Sequence, residues 1–259
     1  MPAPEWEKSL RAVAEASPLV HCLTNIVVAG FTANVLLAIG ASPAMVENPD
    51  EAGAFAAVAG GVLINLGTLS RGREEAMRAA AAAAHQAGRP WVLDPVAVGA
   101  LAHRTTFARE LLQHRPTVIR GNASEIASLA GVAGAAGRGV DSNVDSGDVV
   151  EAARELAGRS GAVVAVSGAV DYVTDGHRVS EVPGGDILMT RVTGVGCALG
   201  AAMAAFMAVS DDPFQATVDA SAVLAEAGGR AAAAPRPGPG TFAVRLLDNL
   251  SELAAEAVR

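Results

Sequence analysis

The chain predicts an α/β fold: a mostly parallel central sheet with helices on both faces. Three observations carry this. Short apolar runs alternate with longer helical patterns along the whole chain, and the connections are short. The runs GVLINLG (61–67) and PWVLDPV (90–96) are apolar throughout, as strands covered on both faces are. Polar residues gather just after these runs, where parallel sheets place their ligands.

The elements follow in order. Residues 4–16 form an amphipathic pattern that ends before Pro18, and LVHCLT (19–24) reads as a short strand. Asn25 is placed to cap a helix over 27–39 that Gly40 stops. SPAMV (42–46) is a second strand, and Pro49-Asp50 opens a helix that closes at Gly60-Gly61. Strand 61–67, helix 70–87, strand 90–96 and helix 104–113 come next, with Asp94-Pro95 marking the end of the second of these strands. TVIR (117–120) is a strand and NASEIASLA (122–130) a helix, followed by a Gly/Asp/Ser-rich loop over 131–147. Helix 148–159, strand 162–168, a hairpin over 170–182 and helices near 195–209, 213–232 and 241–258 complete the chain. The Ala79–Ala84 run sits in a helical pattern, and alanine is the strongest helix former.

Composition narrows the function. With 259 residues, 51% of them hydrophobic, and no linker-like tract, one domain spanning 1–259 is expected. The net charge of −8 with no basic cluster, and an aromatic content of 3%, argue against a nucleic-acid partner. Two cysteines, Cys22 and Cys197, suit a reducing cytoplasm better than a disulfide framework. The start MPAPEWEKSL carries acids and lacks an apolar run, so a signal peptide is not expected. The most apolar segment, between Arg191 and Asp211, is Ala/Gly-rich and reads as a buried helix rather than a membrane span.

The strand-end rule selects Asn25, Met45, Asn65–Thr68, Asp94, Arg120–Glu125, Ser167-Gly168 and Gly194–Cys197. In VTGVGCALGA (192–201), Gly194 and Gly196 lead into a helix, where exposed amides and the helix dipole make an anion cradle. Cys197 falls in the first turn, where a thiol's pKa tends to fall, and a packed cysteine in a helix-start turn is the competing reading. In IRGNASEI (119–126), Arg120 suits a phosphate and Glu125 a metal-bound water. Asn122 and Glu125 also have the spacing of a capping box. Asp94 could hold Mg²⁺ or its waters, or make only an Asx-Pro turn.

Other features are assigned no chemistry. His21 is read as a structural histidine, and His85, His103, His114 and His177 lack metal-ligand spacing. DSNVDSGD (141–148) lacks the terminal glutamate of a calcium loop. Neither GxGxxG after the first strand nor GxxxxGK[ST] occurs, so a nucleotide enzyme here needs another phosphate device.

HCLTNIVVAGFTAN, ASPAMV, LINLGTLS, VLDPVAVGA, IRGNASEI and VTGVGCALGA, in that order and spacing, resemble the hydroxyethylthiazole kinases of the ribokinase-like superfamily. The resemblance runs from about residue 17 to PGPGTFAVRLLDNL (237–250). It implies a three-layer αβα ribokinase-like fold and ATP- and Mg²⁺-dependent phosphorylation of the alcohol of 4-methyl-5-(2-hydroxyethyl)thiazole in thiamine salvage. It also implies a cytoplasmic homotrimer, with the substrate pocket at subunit contacts. By the same resemblance, Asn25, Met45 and Gly194 bind the thiazole, and Arg120, Asn122 and Ser167 face the nucleotide. Asp94 and Glu125 organise Mg²⁺. Gly194 and Gly196 form the catalytic anion cradle, and Cys197 stands where most ribokinase-like enzymes carry an aspartate base. Four positions depart from the family's commonest wording: Cys22, Ile26, Ser167 where threonine is usual, and Val195, whose branched side chain could crowd the cradle while its peptide amide remains. Kinases for hydroxymethylpyrimidine or pyridoxal, a dehydratase of hydrated nicotinamide nucleotides, and a non-catalytic binder are the alternatives sharing this fold.

Overall fold

The structure, a computed structural model, describes residues 4–132, 147–233, 235 and 238–259. The Gly/Asp/Ser-rich loop and the rejected calcium-like stretch lie largely outside the described residues, as does Pro237.

The helix α1 (Glu5–Ala16) precedes β1 (Leu19–Leu23), α2 (Ala29–Ala38), β2 (Ser42–Ala44), α3 (Pro49–Val58) and β3 (Gly61–Asn65). Then come α4 (Arg71–Gln86), β4 (Trp91–Asp94), α5 (Ala102–Leu111), β5 (Val118–Asn122) and α6 (Ala123–Ala130). Beyond the loop lie α7 (Val150–Ser160), β6 (Val163–Ser167), β7 (Val170–Thr174), β8 (Val179–Pro183), α8 (Val195–Met207), α9 (Pro213–Ala232) and α10 (Pro239–Val258). The strands form one sheet in the order β2-β1-β3-β4-β5-β6-β7-β8, parallel from β2 to β6, with β7 antiparallel to both its neighbours.

Alternation in the central strands fills both faces. Leu63, Val92 and Val118 point into one core, which includes residues of α1, α2, α8, α9 and α10. Ile64, Leu93 and Ile119, one residue further on, point into the other, against α3 to α7. Burying one such side chain contributes about 1.5–3 kcal/mol, and a one-residue slip would exchange the two cores, so the register is strongly specified. Several helix starts are written locally. Asn48 accepts from the Asp50 N–H ahead of Pro49, Asp212 accepts from the Phe214 and Gln215 N–H groups ahead of Pro213, and Asn122 and Glu125 form a capping box.

Three boundaries differ from the sequence expectation for physical reasons. The expected helix over 27–39 opens as a 3₁₀ turn, Ile26–Val28, capped by Asn25. β5 runs on to Asn122, because the backbones of Gly121 and Asn122 pair with Val166 and Ser167 of β6. α10 starts at Pro239, a proline at a helix start leaving no intrahelical bond unmade.

α8 decides where the site lies. Its Ala198, Leu199 and Ala201–Met207 are buried, the pattern of a helix enclosed by protein on all sides. Gly200 faces Leu63 of β3, where a Cβ would sit 3.0 Å from the Leu63 Cδ1. The helix therefore lies flat on the sheet and holds its N-terminus over the carboxyl ends of β3 and β4. Among the described residues no helix is long and apolar enough to cross a membrane.

Candidate active site

The carboxyl ends of β1 to β6 share one edge, and the polar residues picked out by the strand-end rule collect there. β3 and β4 end side by side at Asn65 and Asp94, which are register partners, and both are fully buried. The Asn65 amide donates to Asp94 Oδ2 at 2.6 Å, and Arg120 Nη1 of β5 lies 3.6 Å from the same oxygen. Asp94 Oδ1 is buried and has no hydrogen-bond partner among the described residues. Burial pushes the Asp94 carboxyl up to about 7, against the Arg120 guanidinium, which holds it down.

Arg120 donates from Nε and Nη2 to the Ser167 hydroxyl at the end of β6, at 3.2 and 2.9 Å. This pins the planar guanidinium under the start of α8. A Cβ on Gly196 would lie 2.8 Å from Nη1 and Nη2, so only glycine allows that approach. Gly194, the N-cap, has φ +96°, and a Cβ there would meet Val28 at 2.7 Å. No side chain among the described residues caps this helix, and the Ala198 N–H donates to the Gly194 carbonyl at 2.8 Å. The N–H groups of Val195, Gly196 and Cys197 precede that bond and lie at the positive end of the dipole. The Val195 side chain, which could crowd the cradle, is buried in the core. Gly194→Ala should lower the melting temperature by about 5 °C, since left-handed backbone costs about 1–2 kcal/mol before the Val28 clash is counted. Thermal unfolding by circular dichroism measures this.

Cys197 is half-buried near Asn65, Asp94, Arg120 and Glu125. Burial, with the neighbouring Asp94, pushes its thiol up to about 12, against Arg120 and an Asn65 hydrogen bond. The fall expected from the helix start is outweighed, because the thiolate would lose its solvation beside a carboxylate.

Glu125 does what its capping-box spacing predicts and one thing more. Oε2 accepts from the Asn122 N–H at 2.9 Å, and Oε1 accepts from the Ala97 N–H at 2.8 Å. Ala97 is left-handed, with φ +63°, so Glu125 clamps the tight turn that follows Asp94. Arg104 of α5 clamps the same turn from outside, donating to the Gly67 carbonyl at 2.5 Å and the Val96 carbonyl at 3.3 Å. Burial lowers its pKa.

Asn25 and Met45 lie on the β1–β2 side of this edge. Asn25 accepts from the Val27 N–H at 3.0 Å and packs on Gly67, while Met45 packs against the core. His21 is structural as expected, but on one nitrogen only. Nε2 meets the Val46 carbonyl at 2.8 Å, Nδ1 is buried without a partner, and burial lowers the pKa.

The donors suit a magnesium ion better than a protein-enclosed metal. No cluster of three or more metal-ligating His, Cys, Asp or Glu side chains occurs among the described residues. Asp94 offers one free carboxylate oxygen, and Mg²⁺ commonly takes one or two carboxylates and fills its remaining positions with water and substrate phosphate.

Sequence reasoning left Asn65, Arg104 and Asp171 without roles. Asp171 accepts from the Gly168 N–H at 2.9 Å, and burial raises its pKa against the pull of Arg120. The Asn65 and Arg104 links span 29 residues to Asp94 and 37 to Gly67, so no local pattern announces them, whereas the Asp171 contact with Gly168 is local.

The family model of the hydroxyethylthiazole kinase family matches residues 10–256. A hydroxyethylthiazole kinase of Leptospira borgpetersenii serovar Hardjo-bovis is 56% identical over 255 residues, which is 98% of this chain and 96% of that protein. The solved structure of a hydroxyethylthiazole kinase protein from Pyrococcus horikoshii OT3 is similar, with TM-score 0.86 and 38% identity over 95% of this chain and 92% of that one. An ADP complex of Bacillus subtilis pyridoxal kinase shares the fold, with TM-score 0.59 and 18% identity, covering 81% of this chain and 90% of that one. The ribokinase-like αβα architecture expected from the sequence is thus the one observed, and the chain belongs to the hydroxyethylthiazole kinase family.

Proposed function

We propose that the chain works as one kinase domain, transferring the γ-phosphoryl group of ATP to the hydroxyl of 4-methyl-5-(2-hydroxyethyl)thiazole in thiamine salvage. The observation that carries this reading is the start of α8, where uncapped N–H groups converge with Arg120 beside Asp94 and Cys197. The bond from the γ-phosphorus to the bridging oxygen breaks, the bond to the alcohol oxygen forms, and the alcohol's proton is released with ADP.

Phosphoryl transfer asks mostly for positioning and neutralised charge. In this reading the N–H groups of Val195, Gly196 and Cys197 receive the migrating group's oxygens, as donors aimed where charge develops. Arg120, with Ser167 and Asn122 behind it, binds the polyphosphate. Asp94 Oδ1 would hold Mg²⁺, and Glu125 would orient the ion's waters through lone pairs its two backbone contacts leave free. When bound, the ion supplies charge neutralisation at the phosphates. Asn25, Met45 and Gly194 hold the thiazole.

Cys197 sits beside the acceptor oxygen as a positioning thiol. With its pKa near 12, it is protonated throughout the neutral range. A thiolate base of that pKa would make kcat climb about tenfold per pH unit, whereas an orienting thiol leaves kcat flat from about pH 7 to 9. Cys197→Ala should lower kcat about tenfold and leave the ATP KM within about twofold. Cys197→Asp should keep or raise kcat, because a carboxylate accepts the proton at neutral pH. A steep pH slope in the unaltered chain would contradict the orienting role.

The working form in this reading is a cytoplasmic homotrimer, with the thiazole pocket completed by a neighbour. Ile26 and Val27, next to Asn25, are 70% and 68% exposed, which is consistent with an intersubunit contact. Light scattering giving three times the mass of one chain would support it, and a monomer would exclude it.

The reading is tested by ADP formation from ATP, Mg²⁺ and the thiazole alcohol, with EDTA as control. Turnover should require all three components and exceed that with pyridoxal or hydroxymethylpyrimidine. Tight binding of the thiazole alcohol and ATP without ADP formation would favour a non-catalytic binder.

A further inference from the structure

We propose that Arg73 is a positioning residue for the alcohol substrate: its guanidinium ties together the two segments that carry Asn25 and Met45. The proposal rests on the kinase reading in one respect, that these two residues hold the thiazole. Asn25 follows β1, and Met45 follows β2, a three-residue strand at the edge of the sheet. The parallel ladder between the two strands ends at His21 and Ala44. Beyond that pair, side chains take over. His21 Nε2 meets the Val46 carbonyl at 2.8 Å. Arg73 reaches further along both segments. It stands in the first turn of α4, and its Nη2 donates to the Thr24 carbonyl and, at 2.7 Å, to Glu47 Oε1. Thr24 immediately precedes Asn25, and Glu47 lies two residues beyond Met45. One nitrogen, with one hydrogen for each acceptor, therefore bridges the two walls.

This arginine differs from a surface ion pair in two ways. Its side chain is only 13% exposed, so its charge is screened less by salt. One of its acceptors is a backbone carbonyl, so the main chain itself is held. The loop leading into α4 grips the Asn25 segment a second time, where the Thr68 hydroxyl accepts from the Ile26 N–H at 3.0 Å. Met45 packs against the core through a flexible side chain and non-directional contacts. Its place over a substrate is therefore set by where its backbone is anchored, and Glu47 and Val46 are the anchors.

The test uses Arg73→Met, which keeps an apolar stem and removes every donor. In turnover, the KM for the thiazole alcohol should rise about fivefold or more, with the ATP KM within about twofold of the unaltered chain. An arginine that only stabilised the fold would lower the active fraction, and with it the apparent kcat, and leave both KM values alone. The second arm needs neither ATP nor thiazole: hydrogen exchange, read by mass spectrometry, of a peptide spanning 24–28 in the unliganded chain. The Ile26, Val27 and Val28 N–H groups are all hydrogen-bonded there. Their exchange should speed up about threefold or more in Arg73→Met, while peptides of α9 keep their rates. Global destabilisation would speed both. If Arg73→Met does not fold, Glu47→Ala, which cuts the tie at its more exposed end, carries both arms with the same thresholds. A thiazole KM that rises less than about fivefold, or no more than the ATP KM does, overturns the proposal. So does exchange over 24–28 that speeds by less than about threefold, or by no more than in α9. In a chain that never turns over the thiazole, exchange alone decides: a rise confined to 24–28 would uphold the Arg73 tie and remove the kinase reading.

Discussion

Asp94→Asn is expected to lower kcat about a thousandfold, which corresponds to roughly 4 kcal/mol of lost transition-state stabilisation. The substitution keeps the shape of the side chain at the end of β4 and removes its charge. Asp94 is fully buried, and its Oδ1 has no hydrogen-bond partner among the described residues. Neutralising it takes away the atom assigned to Mg²⁺. Folding should suffer less, because two effects oppose each other. A costly buried charge disappears, but Arg120, 3.6 Å away, loses its counter-ion. Steady-state turnover at saturating Mg²⁺, paired with a thermal melt, separates the two. Turnover within tenfold of the unaltered chain would remove Asp94 from the chemistry.

The second large effect belongs to Arg120. Arg120→Ala should raise the ATP KM by at least thirtyfold, about 2 kcal/mol, with a smaller change in the KM for the thiazole. Arg120→Lys should recover little. The guanidinium lies flat beneath Gly196 and uses two nitrogens on the Ser167 hydroxyl, whereas an ammonium is a single point of charge on a flexible stem. Initial-rate kinetics in ATP and in the alcohol measure the split. An unaltered ATP KM would place the polyphosphate elsewhere.

Much of the architecture was legible in the chain. The uninterrupted apolar runs that became β3 and β4 announced a sheet covered on both sides, and glycine, proline and asparagine marked most helix ends. The strand-end rule picked out Asn65, Asp94, Arg120 and Cys197, which the fold brings to one edge, but not Arg104 or Asp171. What it lacked was which atoms meet. Asn65 reads as part of the strand over 61–67, and its link to Asp94 exists only because β3 and β4 are register partners. Glu125 was legible as a cap, but not as the clamp on a left-handed Ala97. Gly121 and Asn122 do not read as strand, because glycine and asparagine carry little β signal, yet their backbones complete the β5–β6 ladder. Sequence alone leaves the acidity of the thiol open, since a helix start and the exclusion of water pull it in opposite directions. A helix start lowers a thiol's pKa, but burial beside Asp94 is stronger here, and burial is a property of the fold.

The central claim is that the N–H groups opening α8 receive the migrating phosphoryl group. A crystal structure of the chain with ADP, Mg²⁺, aluminium fluoride and the thiazole alcohol tests it most directly. The fluoride ligands should lie about 3 Å from the backbone nitrogens of Val195, Gly196 and Cys197, with the alcohol oxygen in line on the side of Cys197. A metal fluoride bound away from this turn, or a turn whose N–H groups face elsewhere, would contradict the account.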